Sequence, residues 1–413
     1  MTSEHRRLVL SVYIPTLLLA FGQGVMIPVL PVYVTRLGGE YGMAGVVVAA
    51  AWIGTTLFDL PTGLLLPRIG YRRAMLLGAG LFAVATTALG LAHVVPELIV
   101  YRFFAGVGTA FWGLSRHAYI SQAVPPASRG RVISVFGGIN RLGTFTGPAI
   151  GGLIGKLYGL PAALIVAGAL AGLAFVVAVF FVRDLPGTAP AARHGFDLSV
   201  LREAVAGNQR NVVAAGTAQI FGQMIRASRQ IVIPLYAASL GLDDFQVGQI
   251  VSASSLVDVL LFVPAGIVMD RFGRKAAAVP SFTVMGLGMA LVPFTHSYWT
   301  LMAAALVLGF GNGMGSGTMM TLGADLAPRG RTGEFLGIWR FIGDTGQAIA
   351  PLAVGQVADL IGLALTAGAT AGLGLIAAGT LAFFVRETHQ KRVAELSGVA
   401  QPARSVDRIS PHR

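Results

Sequence analysis

Nine charged side chains stand in stretches that are otherwise apolar: Arg102, Arg116, Arg141, Arg226, Arg229, Arg340, Asp59, Asp258 and Asp344. A charge at the centre of a bilayer costs roughly 2.5–3.5 kcal/mol or more, so each is expected to face an internal cavity or a partner. Two kinds of chemistry are open to such a set. A carboxylate whose neighbours change can release and regain a proton, because burial disfavours its charge and an arginine favours it. Asp59 and Asp344 rank first as proton carriers and Asp258 next. Asp59 precedes Leu60-Pro61, and proline loosens local backbone of the kind such sites use. The second chemistry is anion recognition. Arg226 and Arg229 are three apart and share a helix face with no acid adjacent; with Arg141 they suit an anionic group on a substrate.

A structural reading competes for each charge. Arg340 and Asp344 are four apart and can meet on one face, and Arg102 equally suits a salt bridge between helices. Arg116 suits a charge reaching for the membrane interface. His117 could relay protons or simply pack. Gln23, Gln223, Asn140 and Gln347 add neutral hydrogen-bonding groups. Tyr33, Tyr236, Trp112 and Trp339 suit either cavity walls or core packing. Gln23, Gln223, Asn140, Tyr236 and Trp339 join the three arginines as expected substrate contacts.

The elements that position these residues are membrane spans. The chain has 413 residues, of which 54% are hydrophobic and only 12% charged, about half the charged share of a soluble protein. Twelve apolar runs fall at roughly 9–35, 43–66, 74–92, 97–124, 132–157, 160–182, 211–238, 245–269, 277–295, 298–326, 332–357 and 362–385, each long enough to cross a bilayer. The 55 glycines suit closely packed membrane helices. There is no cysteine, hence no disulfide or thiolate metal site. No phosphate-cradling Gly-x-x-x-x-Gly-Lys loop occurs, so ATP is not the energy source, and no enzyme, metal or cofactor is expected. No cleavable signal is evident at the first run.

The net charge of +12 would point to nucleic acid in a soluble protein, but here its placement explains it. With both termini cytoplasmic, 22 of the 30 Lys and Arg fall on that side, Arg36 and Lys156 alone fall outside, and six lie within helices. That bias sets the orientation expected of an inner or plasma membrane protein.

The chain also repeats. Phe21-Gly22-Gln23 recurs as Phe221-Gly222-Gln223, Pro31-Val32-Tyr33 as Pro234-Leu235-Tyr236, and Phe180-Phe181-Val182-Arg183 as Phe383-Phe384-Val385-Arg386. The offset is 200 or 203 throughout, and its slip within helix 7 suggests a local bulge beside Arg226 and Arg229. The repeat divides the chain into a bundle over 1–182, a cytoplasmic linker over 183–210 with a short surface helix at Leu198 to Ala206, a second bundle over 211–386, and a polar tail over 387–413 expected to be disordered. Parallel six-helix repeats imply a pseudo-two-fold axis along the membrane normal with a central cavity.

Gly266-x-x-x-Asp270-Arg271-x-Gly273-Arg274-Lys275 resembles the loop signature of the major facilitator superfamily. Arg102-Phe-Phe-Ala-Gly106-Val-Gly108 is similar to that family's helix 4 pattern. Gly143-Thr-Phe-Thr-Gly147-Pro148-Ala-Ile-Gly151-Gly152 is similar to the helix 5 motif of the twelve-helix drug/proton antiporters. The resemblance covers the whole chain. It implies an all-α fold of two six-helix bundles, alternating access, proton coupling and export.

The first copy of the loop departs from the pattern. It reads Gly63-Leu-Leu-Leu-Pro67-Arg68-Ile-Gly70-Tyr71-Arg72-Arg73, with Pro67 where the second copy has Asp270. Asp325 likewise corresponds to Pro125. The second half therefore keeps both acids of a cytoplasmic network that can hold helix ends through charge-assisted hydrogen bonds, and an asymmetric gate with Asp270 at its centre is expected.

The resulting expectation is a proton-coupled exporter of an amphipathic, anionic or lipid-like small molecule, acting as a monomer in the bilayer. A symporter importing a small organic anion and a non-transporting receptor on the same fold are the alternatives.

Overall fold

The computed structural model describes residues 9–124, 126–183, 198–328 and 330–388. Thirteen α-helices occur among them. They are α1 (Ile14–Arg36), α2 (Tyr41–Ile69), α3 (Tyr71–Leu89), α4 (Val95–Ala123), α5 (Pro126–Tyr158), α6 (Leu160–Phe181), α7 (Leu198–Ser239), α8 (Asp244–Phe272), α9 (Arg274–Leu291), α10 (Tyr298–Met314), α11 (Thr318–Leu326), α12 (Thr332–Ile361) and α13 (Leu363–Phe384). Eight spans pass on length and apolarity alone. The other four are α5, α7, α10 with α11, and α12. They hold Arg141, Arg226, Arg229, a glycine break, Arg340 and Asp344. The spans that look least like membrane helices are thus rich in polar groups the lipid cannot take.

Helix packing repeats between the halves. In the first, α1 lies on α5 and α6, α3 on α4 and α6, and α2 on α4. In the second, α7 lies on α12 and α13, α9 on α10 and α13, and α8 on α10. Across the halves α5 meets α8, α2 meets α12, and α1 meets α7. Leu57, Leu64, Val84, Phe180, Leu260, Val263 and Phe383 remain exposed, an apolar exterior that suits hydrocarbon.

One end of the bundle, the terminal face, holds the α2–α3 and α8–α9 turns and the end of α13. The turns reverse at Gly70 (φ +80°) and Gly273 (φ +104°), where a side chain would be strained. The far face holds the α1–α2, α7–α8 and α12–α13 turns.

Three local expectations are revised. Span ten is two helices, because Gly315, Ser316 and Gly317 break it, with Gly317 at φ +79°. Leu198 to Ala206 is not a separate surface helix but the first turns of α7, which runs unbroken as α-helix to Ser239. No bulge interrupts it; a π-helical turn instead precedes α1 at Val9–Tyr13. Linker residues 184–197 and tail residues 389–413 lie outside the described residues.

Candidate functional site

Seven of the nine deep charges gather into two clusters, and each straddles the halves. In the first, Asp258 of α8 takes three partners. Asn312 of α10 donates to it at 2.7 Å. Arg141 of α5 reaches it from the opposite half at 3.3 Å, and Arg229 of α7 approaches to 3.9 Å. Arg141 also donates to Ser316 Oγ and lies 4.2 Å from the Phe262 ring. Arg226 donates to the Gly315 carbonyl at 3.1 Å and stacks on Phe282. The break between α10 and α11 frees a carbonyl and aims a serine, and two arginines use them, an arrangement tolerated at membrane depth only inside protein. Three arginines face one acid. Arg226 Nε, Arg229 Nη1 and Asn312 Oδ1 are buried without partners, so hydrogen-bonding capacity is left over.

In the second cluster Arg340 of α12 contacts Asp344 at 3.4 Å, as the four-residue spacing foretells, and also reaches Asp59 of α2 at 4.0 Å. Gln347 donates to Asp344 at 3.2 Å. Two acids here share one cation. The clusters therefore carry opposite surpluses, positive beside α7 and negative beside α12.

Other expected contacts fall elsewhere. Trp339 is 1% exposed and donates to the Met319 carbonyl at 2.8 Å, fastening α11 rather than lining a cavity. Tyr236 donates to the Thr295 carbonyl at 3.1 Å, and Tyr33 donates to Ala92 at 2.9 Å. Both pairs are separated by the repeat offset of 203, so these tyrosines are matching fasteners. Gln223 lies against Gly343 of α12. Arg102 is half-buried on α4 and, among the described residues, donates only to the Met26 sulfur, at 3.6 Å. His117 is exposed, with Nδ1 against the Gly113 carbonyl. Arg116 does not reach for the membrane interface. It stacks on Phe136 at 4.0 Å from the ring centroid, with Trp112 on another side, beside Gln23 and Asn140.

The helix 5 motif does two packing jobs. Gly143, Gly147 and Gly151, four apart, face α1, where an added Cβ would strike Ala20, Phe21, Gly24 and Val25. Gly152 abuts the Asp244 carbonyl, and the Pro148 carbonyl abuts Gly248. Small residues thus let α5 touch its own bundle and the opposite one at once. Gly106 abuts Ala51 of α2 in the same way.

At the terminal face the buried acid is Asp325, whose side chain is 2% exposed and lies 2.8 Å from Arg274. Asp270, expected at the centre of this network, is 74% exposed and 3.8 Å away. Thr388 also donates to Asp325, and Glu387 accepts from the backbone of Arg274 and Lys275. These partners all belong to the second half, so the network fastens helix ends within one bundle. Lys275 donates to the carbonyls of Ala382 and Val385; Arg72 does the same to Val179 and Val182, again 203 residues earlier. Tyr71 stands where the second half has Arg274, so the first half lacks the cation as well as both acids. Sequence comparison could have found this by extending the offset one residue past Gly70. Gly266 has no atom within 4 Å of an added Cβ, Gly63 meets only Leu114 at 3.6 Å, and Arg68 and Arg271 are exposed.

The far face is tied across the halves. Arg36 makes a two-pronged bond to Asp244, one arm at 2.9 Å, and Lys156 binds Asp243 at 2.9 Å. Asp359 accepts from the Gly42 backbone at 2.8 Å, and Gly45 abuts the Pro351 carbonyl. The sequence marks Arg36 and Lys156 as the outer-loop cations; that both clamp consecutive acids of the other half was not foreseen.

The family model "Major Facilitator Superfamily" matches residues 12–223 and 215–410. Among curated proteins, an uncharacterised MFS-type transporter of Methanocaldococcus jannaschii is 23% identical over 357 residues, spanning 86% of this chain and 92% of its own. Multidrug resistance protein MdtG of Salmonella choleraesuis is 24% identical over 367 residues, spanning 85% and 88%. Among solved structures, a bacterial homolog of the human lysosomal transporter Spinster, in an inward-facing and unoccupied conformation, aligns with TM-score 0.79 at 13% identity. That alignment covers 98% of this chain and all of the other.

Proposed function

The chain belongs to the major facilitator superfamily and is a membrane transporter of that fold; on that premise we propose that it exports an amphipathic small molecule in exchange for protons. The observation that carries this reading is Asp258, held at once by Arg141 of the opposite half and Arg229 of its own. Relative motion of the halves must change that carboxylate's partners, and a carboxylate that loses an arginine takes up a proton more readily. The Arg340 bridge between Asp59 and Asp344 supports a second exchange of the same kind. Likeness to MdtG and the packing of the helix 5 motif favour export. The surplus arginines favour an anionic group on the cargo.

The bias of 22 cations to 2 supports a cytoplasmic terminal face in an inner membrane protein. With the far face clamped, the conformation described is then the inward-facing one. The halves, 1–182 and 211–386, move as bodies joined by the linker 183–210, and one copy suffices.

Reconstituted vesicles with an imposed pH gradient provide the test. Wild-type protein should drive an amphipathic fluorescent acid against its gradient. Asp258→Asn should lose proton-driven accumulation while retaining exchange of labelled for unlabelled cargo. Full accumulation by that variant would remove Asp258 from coupling, and uptake with, rather than against, the proton flow would reverse the direction.

A further inference from the structure

In the first half, α1, α3, α4 and α5 line a partly open pocket whose walls include Gln23, Phe82, Trp112, Arg116 and Asn140. Four of these side chains are polar, and among the described residues none has a hydrogen-bond or ion-pair partner. Trp112 is 5% exposed, and its indole N–H meets no acceptor. Arg116 Nε is buried and equally unpartnered among the described residues; the guanidinium stacks on Phe136 at 4.0 Å and on Trp112 at 5.9 Å. The amides of Gln23 and Asn140 are half-buried beside them.

The corresponding positions of the second half differ in one respect. Adding 200 to Trp112 and Arg116 gives Asn312 and Ser316, and both are bonded: Asn312 donates to Asp258, and Ser316 accepts from Arg141. Thr55 stands 203 residues before Asp258, and its hydroxyl is spent on backbone carbonyls. The first half thus places two N–H donors at these positions and lacks the acid that Asn312 meets in the second. A buried donor left unpaired costs about 1–3 kcal/mol, more when charged, so such a constellation calls for an acceptor from outside the chain.

We propose that this pocket binds the carboxylate of a small aromatic acid, with Arg116 and the Trp112 N–H on the carboxylate and the ring against Phe82 and Trp112. The proposal rests on the transporter reading and names a cargo class for it. Both orphaned N–H groups only donate, which selects an anionic acceptor. The aromatic wall of Phe82 and Trp112 selects a planar body. Gln23 and Asn140 can give or accept a bond and would read a ring substituent.

The test is equilibrium dialysis of 2-naphthoate and its neutral isostere 2-naphthamide against the protein in nanodiscs, with protein-free nanodiscs as the blank. Wild-type protein should prefer the acid by tenfold or more. Arg116→Gln should abolish the preference while leaving naphthamide binding within twofold, and Trp112→Phe should weaken naphthoate several-fold. Thermal melting reports folding; should Arg116→Gln not fold, Trp112→Phe still decides. No acid preference in wild type, preference surviving Arg116→Gln, or preference removed instead by Arg226→Gln would each overturn the proposal. Naphthoate preference without proton-driven transport would sink the exporter reading alone. Proton-driven transport of other dyes without naphthoate preference would sink the pocket alone.

Discussion

Asp325 and Asp270 address the same guanidinium from opposite environments. Asp325 is sealed against Arg274, so removing its charge leaves a buried cation without its main partner, a change worth about 3–5 kcal/mol. Asp270 is 74% exposed at 3.8 Å, and such pairs contribute about 0–1 kcal/mol. Asp325→Asn should therefore lower the thermal midpoint markedly and Asp270→Asn hardly at all, as read by melting in detergent. Equal effects would contradict the geometry. The sequence picked out both acids, but their ranking depends on exposure, which the letters Asp and Arg do not encode. The same holds for Trp339: its type suits a cavity wall, and only its bond to Met319 assigns it to holding α11.

At the scale of elements, two sets of glycines should act in opposite directions. Gly45 of α2 presses on the Pro351 carbonyl of α12 near the far face, whereas Gly266 of α8 meets nothing within 4 Å. A side chain at Gly45 must part the far face. One at Gly266 fits the present conformation and obstructs only a state in which the terminal face closes. The cysteine-free chain permits clean spin labelling at Glu40→Cys and Leu360→Cys, both exposed and on opposite halves. Gly45→Leu should lengthen that distance. Gly266→Leu should leave it unchanged and stop turnover with little loss of stability. A shorter distance in Gly45→Leu would refute the packing argument. The helix 5 glycines were legible as a motif; which of them face α1 and which face α8 follows from the helical period once both neighbours are known.

For the whole molecule the question is the balance between states, which the far-face clamp biases. Breaking the two-pronged Arg36–Asp244 bond by Arg36→Glu adds repulsion, and a change of about 1.4 kcal/mol shifts the population tenfold. The open far face should then gain several-fold by the same label pair, and Arg36→Asp combined with Asp244→Arg should restore closure. Acid should not mimic this change. Partial burial raises the Asp243 carboxyl, but the backbone N–H of Gln246 and the Lys156 ammonium outweigh it and hold the group below its ordinary range. A lowered value favours the ionised form in the clamp. That contribution is present above the ordinary value of about 3.9 and is lost only as pH falls through the depressed one. Label distances should stay constant between about pH 5 and 8, and a clamp that opened near pH 6 would need another titrating group.

By itself the sequence determined the class of solvent, the spans, the repeat and the family, because these depend on local hydrophobicity and on motifs within one or two turns. It also supplied the roster of buried charges, since an arginine in an apolar run is conspicuous wherever it points. Tertiary structure decided the pairings. Asp258 finds Arg141 across 117 residues, Arg36 finds Asp244 across 208, and Arg116 finds the rings of Phe136 and Trp112. A charge's role depends on what lies within a few ångströms of it. That is fixed by which helix faces meet across the two halves, not by spacing along any one of them.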